Sequence, residues 1–130
     1  MKEFTVRTDA RDDLKDITQQ VQQAADALGC SEGACLVFIP HTTAGVTINE
    51  NADPDVVSDL LHILDKTIPW RDRNYLHGEG NSAAHAKASL MGFSTLVPVA
   101  GGRLVLGTWQ SVYLCEFDGP RSRRVQVQEL

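Results

Sequence analysis

Residues 103–117, RLVLGTWQSVYLCEF, are apolar on both alternations of an extended chain. A strand wetted on one side alternates apolar and polar residues, so at least one strand in this stretch must be buried on both faces. A chain of 130 residues is long enough to build such a core as one domain, 1–130.

The other elements follow from shorter patterns. FTVRT alternates and predicts a half-buried strand. DITQQVQQAADALG predicts a helix, with Asp16 as cap, Gln19 where a capping-box partner would sit, a stripe of Ile17, Val21, Ala24 and Leu28, and Gly29 as stop. ACLVFIP predicts a buried strand and AGVTINE the next one. DPDVVSDLLHILDKTIP predicts the clearest helix: Asp53 caps it, Pro54 opens it, and Val57, Leu60, Leu61 and Leu64 share one face. A third helix is expected from about Ser82 to Met91, capped by Asn81 or Ser82 and stopped by Gly92. FSTLVPVA, the long apolar run and RRVQVQEL supply further strands, and the turn cluster DGPRS predicts a hairpin between the last two. This order predicts an α+β fold with a mainly antiparallel sheet and two or three helices.

Composition narrows the functional classes. A net charge of −5 repels nucleic-acid phosphates, so no nucleic-acid partner is expected. No apolar run approaches the roughly 20 residues of a membrane span, and MKEFTVRTDARDD lacks a signal-peptide core. No membrane partner and a cytoplasmic location are expected. Cys30, Cys35 and Cys115 are odd in number and form no CxxC, and two lie in apolar runs, so neither a disulfide framework nor a thiol nucleophile is expected.

The polar inventory is uneven. His62 falls on the charged face of the second helix and reads as a solvated histidine. His41 follows the buried strand, His77 sits in a glycine-rich loop, and His85 falls in the first turn of the third helix. None has an evident packing reason. They are either loop histidines or arms of one site, and three imidazoles with an open position would suit a metal. Asp53 and Asp55 are explained by helix capping and the helix dipole. Glu50, Asn49 and Asn51 at the strand-to-helix junction are less easily explained that way. Gly107 inside its apolar run predicts a bulge or a close backbone approach. Trp109 reads as core or interface, and Gln110 as a network or pocket residue. Arg121, Arg123 and Arg124 form the one basic cluster, either solvated loop charges or a phosphate hold. No GxxxxGK[ST], GxSxG or HExxH occurs.

In order along the chain, HTTAGVTINENADPDV, HGEGNSAAHAKASLMG, STLVPVAGGRLVLGTWQSVYLCEFDGPR and RRVQV resemble the YjbQ-like family, also called secondary thiamine-phosphate synthases. The resemblance covers essentially the whole chain. It implies an antiparallel sheet rolled into a half-barrel or sandwich with helices, assembled as a homotrimer. It implies a weak thiamine-phosphate synthase activity, joining hydroxymethylpyrimidine diphosphate to a thiazole phosphate with loss of diphosphate. It places the family's polar motif positions on His41, Thr42, Thr43, Asn49, Glu50, Asp53, His77, Asn81, His85, Gly107, Thr108, Trp109 and Gln110.

The resulting expectation is a small transferase acting on phosphorylated small molecules. Glu50, His77 and Gln110 are its candidate catalytic residues. Thr42, Thr43, Asn49, Asp53, Asn81, Thr108, Arg121 and Arg124 are candidates for substrate binding, and His41, His77 and His85 for metal ligation. Two cofactors compete: a Zn²⁺-like ion at the histidines, or Mg²⁺ with the diphosphate, for which Glu50 and Asp53 could supply oxygen ligands. A third possibility dispenses with metal and lets the histidines and Arg121 or Arg124 contact phosphate directly. The alternatives in function are a metal-dependent hydrolase or lyase using the same histidines, and a non-enzymatic trimeric metal- or metabolite-binding protein.

Overall fold

Strand β7 (Gln110–Glu116) meets the expectation of double burial: every residue from Ser111 to Glu116 is buried. Its side chains divide by parity. Val112 and Leu114 enter the larger core, whereas Tyr113 and Cys115, followed by Phe117, enter a smaller one. The computed structural model describes residues 1–130, and the other elements are arranged around this strand.

Along the chain these are β1 (Lys2–Arg7), β2 (Asp13–Asp16), α1 (Thr18–Ala27), β3 (Gly33–Phe38) and β4 (Ala44–Glu50). Then come α2 (Pro54–Thr67), α3 (Ser82–Met91), β5 (Ser94–Ala100), β6 (Arg103–Leu104), β7, and β8 (Ser122–Glu129). A five-stranded sheet runs β1-β8-β3-β5-β6 and a three-stranded sheet runs β2-β7-β4. Every pairing is antiparallel. The fold is α+β, with three helices and antiparallel sheets curled into a half-barrel. Helix α1 and the five-stranded sheet close the larger core, and α2 and α3 cover the smaller one on the other face of β7. No helix is long and apolar enough to cross a membrane.

Local sequence sets the helix ends. Asp53 accepts the Asp55 N–H at 2.9 Å and caps α2. Asp16 accepts the Thr18 N–H at 2.9 Å, but the N-cap backbone position is taken by Ile17, whose side chain is needed in the core. Gln19 is left exposed. Helix α3 starts after Asn81 and stops at Gly92, with φ of 90°. It lies so close to β4 that a Cβ on Gly45 would meet the Gly92 oxygen at 2.5 Å and the Ala88 oxygen at 3.2 Å. Gly45 is therefore what allows α3 to lie against β4.

Two expectations need correction, the last hairpin and a core position for Trp109. The last two strands do not form a hairpin: β7 pairs with β2 and β4, while β8 pairs with β1 and β3. Both edges of β7 are already occupied, so the DGPRS turn carries the chain across to the other sheet. The long apolar run supplies two strands, β6 and β7, and residues 105–109 turn the chain between them. In that turn Gly107 donates its N–H to Gln110 Oε1 at 2.8 Å, and this side chain is the close neighbour that leaves little room for a Cβ. Trp109 is consequently 63% exposed, not part of the core.

The crossing between sheets is tied by a buried ion pair. Glu116 and Arg123 are both buried. The Glu116 carboxylate accepts from Arg123 Nε at 2.9 Å, from Arg123 Nη2, from the Thr8 hydroxyl at 2.8 Å, and from the backbone N–H groups of Phe117 and Asp118. Gly119 lies against this network, where a Cβ would sit 2.8 Å from Glu116 Cγ and 2.4 Å from the Ala10 oxygen. Removing one partner of a buried pair strands the other charge, at a cost of about 3–5 kcal/mol. Glu116→Ala is expected to lose that much stability in urea unfolding, and Gly119→Ala to be destabilised as well. A Glu116→Ala protein as stable as the wild type would show that the seam is dispensable.

Candidate functional site

The end of β3, the start of α3 and the β7–β8 crossing converge on a polar cleft of about 500 Å³. His41 and Thr42 enter from the segment after β3, and Thr43 from just before β4. His77, Glu79, Asn81 and His85 come from the loop into α3 and its first turn, and Asp118, Arg121 and Arg123 from the crossing. No apolar side chain other than Pro40 lines it. The three histidines singled out by the sequence thus share one cleft, while His62 stays exposed on α2.

The rings of His77 and His85 meet edge to face, with centroids 5.6 Å apart and planes at 87°. His41 is oriented differently. Its Nε2 accepts the backbone N–H of Arg124 at 2.9 Å, which requires a lone pair there and puts the proton of the neutral ring on Nδ1. Burial, then the positive charges of Arg123 and Arg124, lower its pKa from 6.5. His41 is a neutral ring with one donor and no free lone pair.

The cations differ in the same way. Arg121 pairs with Asp118 at 3.1 Å and remains half exposed. Arg123, with Nε and Nη2 held by Glu116 and Thr43, has no protein partner at Nη1 and forms part of the cleft wall. Arg124 lends its backbone to His41, but its side chain points outward toward Glu3 at 3.8 Å. Asn81 donates to Asp118 Oδ2 at 2.9 Å, and its Oδ1 is the one buried side-chain oxygen without a partner.

The remaining candidates are elsewhere. Glu50 lies opposite Gln110 at the far end of β4. It is the last of the seven residues of β4, and Thr43 immediately precedes the first, so the two lie about 20 Å apart at strand rise. Asn49 accepts the Glu50 N–H, Thr108 belongs to the turn before β7, and Asp53 is engaged as a helix cap. Tyr113 donates to the Glu50 carbonyl at 2.9 Å and braces this end. Within one chain, Glu50, Gln110 and the histidines do not form a single site. A separate, larger hollow of about 730 Å³, walled in part by the glutamines and Asp26 of α1, contains none of these residues.

The sequence reading missed Asp118 and Glu79, and it named Arg123 in the basic cluster but carried only Arg121 and Arg124 into the substrate-binding set. For Arg123 a signal was available: it shares strand parity with Val125 and Val127, both buried, whereas Arg124 shares parity with Gln126. The cysteines are buried, and burial pushes the Cys35 thiol up to about 11 and the Cys115 thiol up to about 12. Neither presents a thiolate at neutral pH.

A match over residues 2–130 to the family described as UPF0047 protein YjbQ-like places this architecture among known proteins. The chain belongs to the YjbQ-like UPF0047 family. UPF0047 protein YugU of Bacillus subtilis is 49% identical over 128 residues, covering 98% of this chain and 97% of that one. UPF0047 protein MJ1081 of Methanocaldococcus jannaschii is 43% identical over 125 residues, covering 96% and 90%. The crystal structure of a YjbQ/UPF0047 family protein from Clostridium acetobutylicum matches with a TM-score of 0.97 at 52% identity, over 100% of both chains. In this chain the YjbQ-like fold brings the three histidines to one cleft.

A three-imidazole metal site does not fit this arrangement. The His41 lone pair is already used, and no group of three His, Cys, Asp or Glu side chains is gathered as a ligand set. The neutral state of His41 has a consequence for stability. A folded-state pKa below the unfolded value means that the unfolded chain binds the proton more readily. The stability tied to neutral His41 is therefore complete above about pH 6.5 and is lost as the pH falls below it. His41→Gln is expected to flatten this part of the acid limb when urea midpoints are compared between about pH 7 and pH 5. An unchanged slope would show that His41 is not the titrating group.

Proposed function

We propose that the histidine cleft is a diphosphate-binding site and that the chain is a thiamine-phosphate synthase-like transferase. The observation that carries the reading is that His41, Arg121 and Arg123 line one polar cleft with His77 and His85, and that His41 Nδ1–H and Arg123 Nη1 have no partner within the protein. Guanidinium groups and N–H donors suit phosphate oxygens. The unpartnered Asn81 Oδ1 leaves the wall short of one donor, which a ligand N–H would supply.

In the proposed reaction the bond between the hydroxymethyl carbon and the diphosphate oxygen breaks, and its electron pair leaves with diphosphate. The thiazole nitrogen uses its lone pair to form the new C–N bond. No proton has to be removed for this exchange. The cleft acts by holding the leaving group and stabilising the charge that develops on it. Of the two candidate ions, Mg²⁺ suits the oxygen ligands Glu79 and Asp118 at the cleft. When bound, it would neutralise diphosphate charge.

Homotrimer assembly belongs to the same proposal. The outer face of the five-stranded sheet exposes Phe38 and Leu96, and Ile63, Leu90 and Trp109 are exposed elsewhere. On the sheet face, Leu36 pairs with Leu96 across β3 and β5 beside Phe38, which gives a neighbouring copy an apolar surface to cover. Glu50 and Gln110 would join a histidine cleft only from a neighbouring copy. Light scattering at micromolar concentration is expected to give about three times 14.2 kDa, and a monomer throughout would remove Glu50 and Gln110 from the proposed site.

The activity test is direct. With hydroxymethylpyrimidine diphosphate and thiazole phosphate, the protein should release diphosphate and form thiamine phosphate. His77→Ala and Arg121→Ala should each lower kcat/KM by about 100-fold, and His62→Ala should leave it unchanged. Wild-type turnover by His77→Ala would defeat the assignment.

A further inference from the structure

A second hollow of about 370 Å³ adjoins the histidine cleft, and His77 belongs to the walls of both. It is formed by the segment between α2 and α3, with Trp70, Arg71, Arg73 and Tyr75 on its lining. The chemistry of the two spaces differs. In the cleft, Arg121 is paired with Asp118 and Arg123 with Glu116. In the hollow, neither Arg71 nor Arg73 has an acidic partner in the protein. The intervening Asp72 is occupied as a turn acceptor for the Asn74 N–H at 2.8 Å.

The aromatic rings are held in place. The Arg11 guanidinium lies 4.6 Å from the Trp70 ring centre and is itself fixed by Asp12 and Asp65, each at 2.8 Å. The Tyr75 hydroxyl donates to the Pro69 carbonyl at 2.8 Å. Two positioned aromatic side chains beside two free guanidinium groups form a surface for a flat ring that carries an anionic group. A protein with a net charge of −5 places these cations without neutralising them, which favours an anionic ligand at this point.

We infer that the Trp70–Tyr75 hollow is the subsite for a second ligand, a phosphorylated aromatic heterocycle, bound beside a diphosphate ligand in the cleft. The inference rests on the transferase reading, because bond formation between two bound molecules requires their reacting atoms within about 3–3.5 Å. His77, common to both walls, marks where they would meet. The ring nitrogen would approach from the hollow, and the carbon losing diphosphate from the cleft.

The two tryptophans, Trp70 and Trp109, make the test selective. Trp109 is largely exposed, so Trp109→Phe leaves Trp70 as the single reporter without removing a core contact. Thiazole phosphate added to this protein is expected to change Trp70 emission. Arg71→Ala and Arg73→Ala should each weaken the response about 10-fold or more. Inorganic diphosphate, followed by calorimetry, is expected to bind in the cleft without changing Trp70 emission and without displacing thiazole phosphate. Thiazole phosphate that binds silently and is displaced by diphosphate would overturn the second subsite and leave the diphosphate assignment standing. Trp70 quenching with no diphosphate binding would support the subsite and overturn the cleft assignment. Binding of neither probe would overturn both.

Discussion

The Glu116–Arg123 pair is the interaction on which the rest of the molecule depends. Each side chain points inward at the end of a strand in a different sheet, and each would be strongly destabilising there alone. Together with Thr8, Thr43 and two backbone N–H groups they fill one another's hydrogen-bonding capacity. The pair fixes where β7 hands over to β8, and the cleft is the solvent-facing side of that handover. Positioning of Arg123 for a ligand and closure of the two sheets are therefore one arrangement.

A second constraint sets the other wall. β7 is buried on both faces, so one of its faces needs a helical cover, and α3 supplies part of it. Gly45 permits the close approach of α3 to β4. That approach brings Asn81 and His85, at the start of α3, to the residues that precede β4. Buried Lys87, bonded to Asp12 at 2.8 Å and Asp65 at 3.1 Å, ties the same helix to α2 and to the loop before β2. The histidines meet because elements far apart in sequence are packed for reasons of core burial.

The charge distribution follows from these packing demands. The cations near the cleft are either locked into pairs that serve the fold or left free on the adjoining segment of residues 69–80. Arg123 and Arg121 belong to the first kind, Arg71 and Arg73 to the second. This concentration of positive groups around His77 stands out in a chain with more acidic than basic residues.

Much of the fold was legible in local patterns. Double burial of β7, the Asp53 cap of α2, the span of α3 and the inward stripe of α1 all arise from interactions within a few residues, which periodicity and capping chemistry report directly. The grouping of His41, His77 and His85 was one of two readings left open, since none of them had a place in a core but loop histidines would show the same pattern. The partner of β7 was not readable. DGPRS has the composition of a hairpin turn, and only the prior occupation of both β7 edges by β2 and β4 turns it into a crossing. The separation of Glu50 and Gln110 from the histidines was hidden for a related reason: Thr43 and Glu50 are close in sequence, but an extended strand sets them about 20 Å apart. The sequence by itself determined which residues are inward, which are capped and which polar groups lack a packing role, because those depend on neighbours along the chain. The tertiary structure alone decided which strands pair, that His41 gives its lone pair to a backbone N–H of β8, and that Thr43 meets the Arg123 guanidinium. Those outcomes depend on contacts between segments about 80 residues apart, which no local pattern encodes.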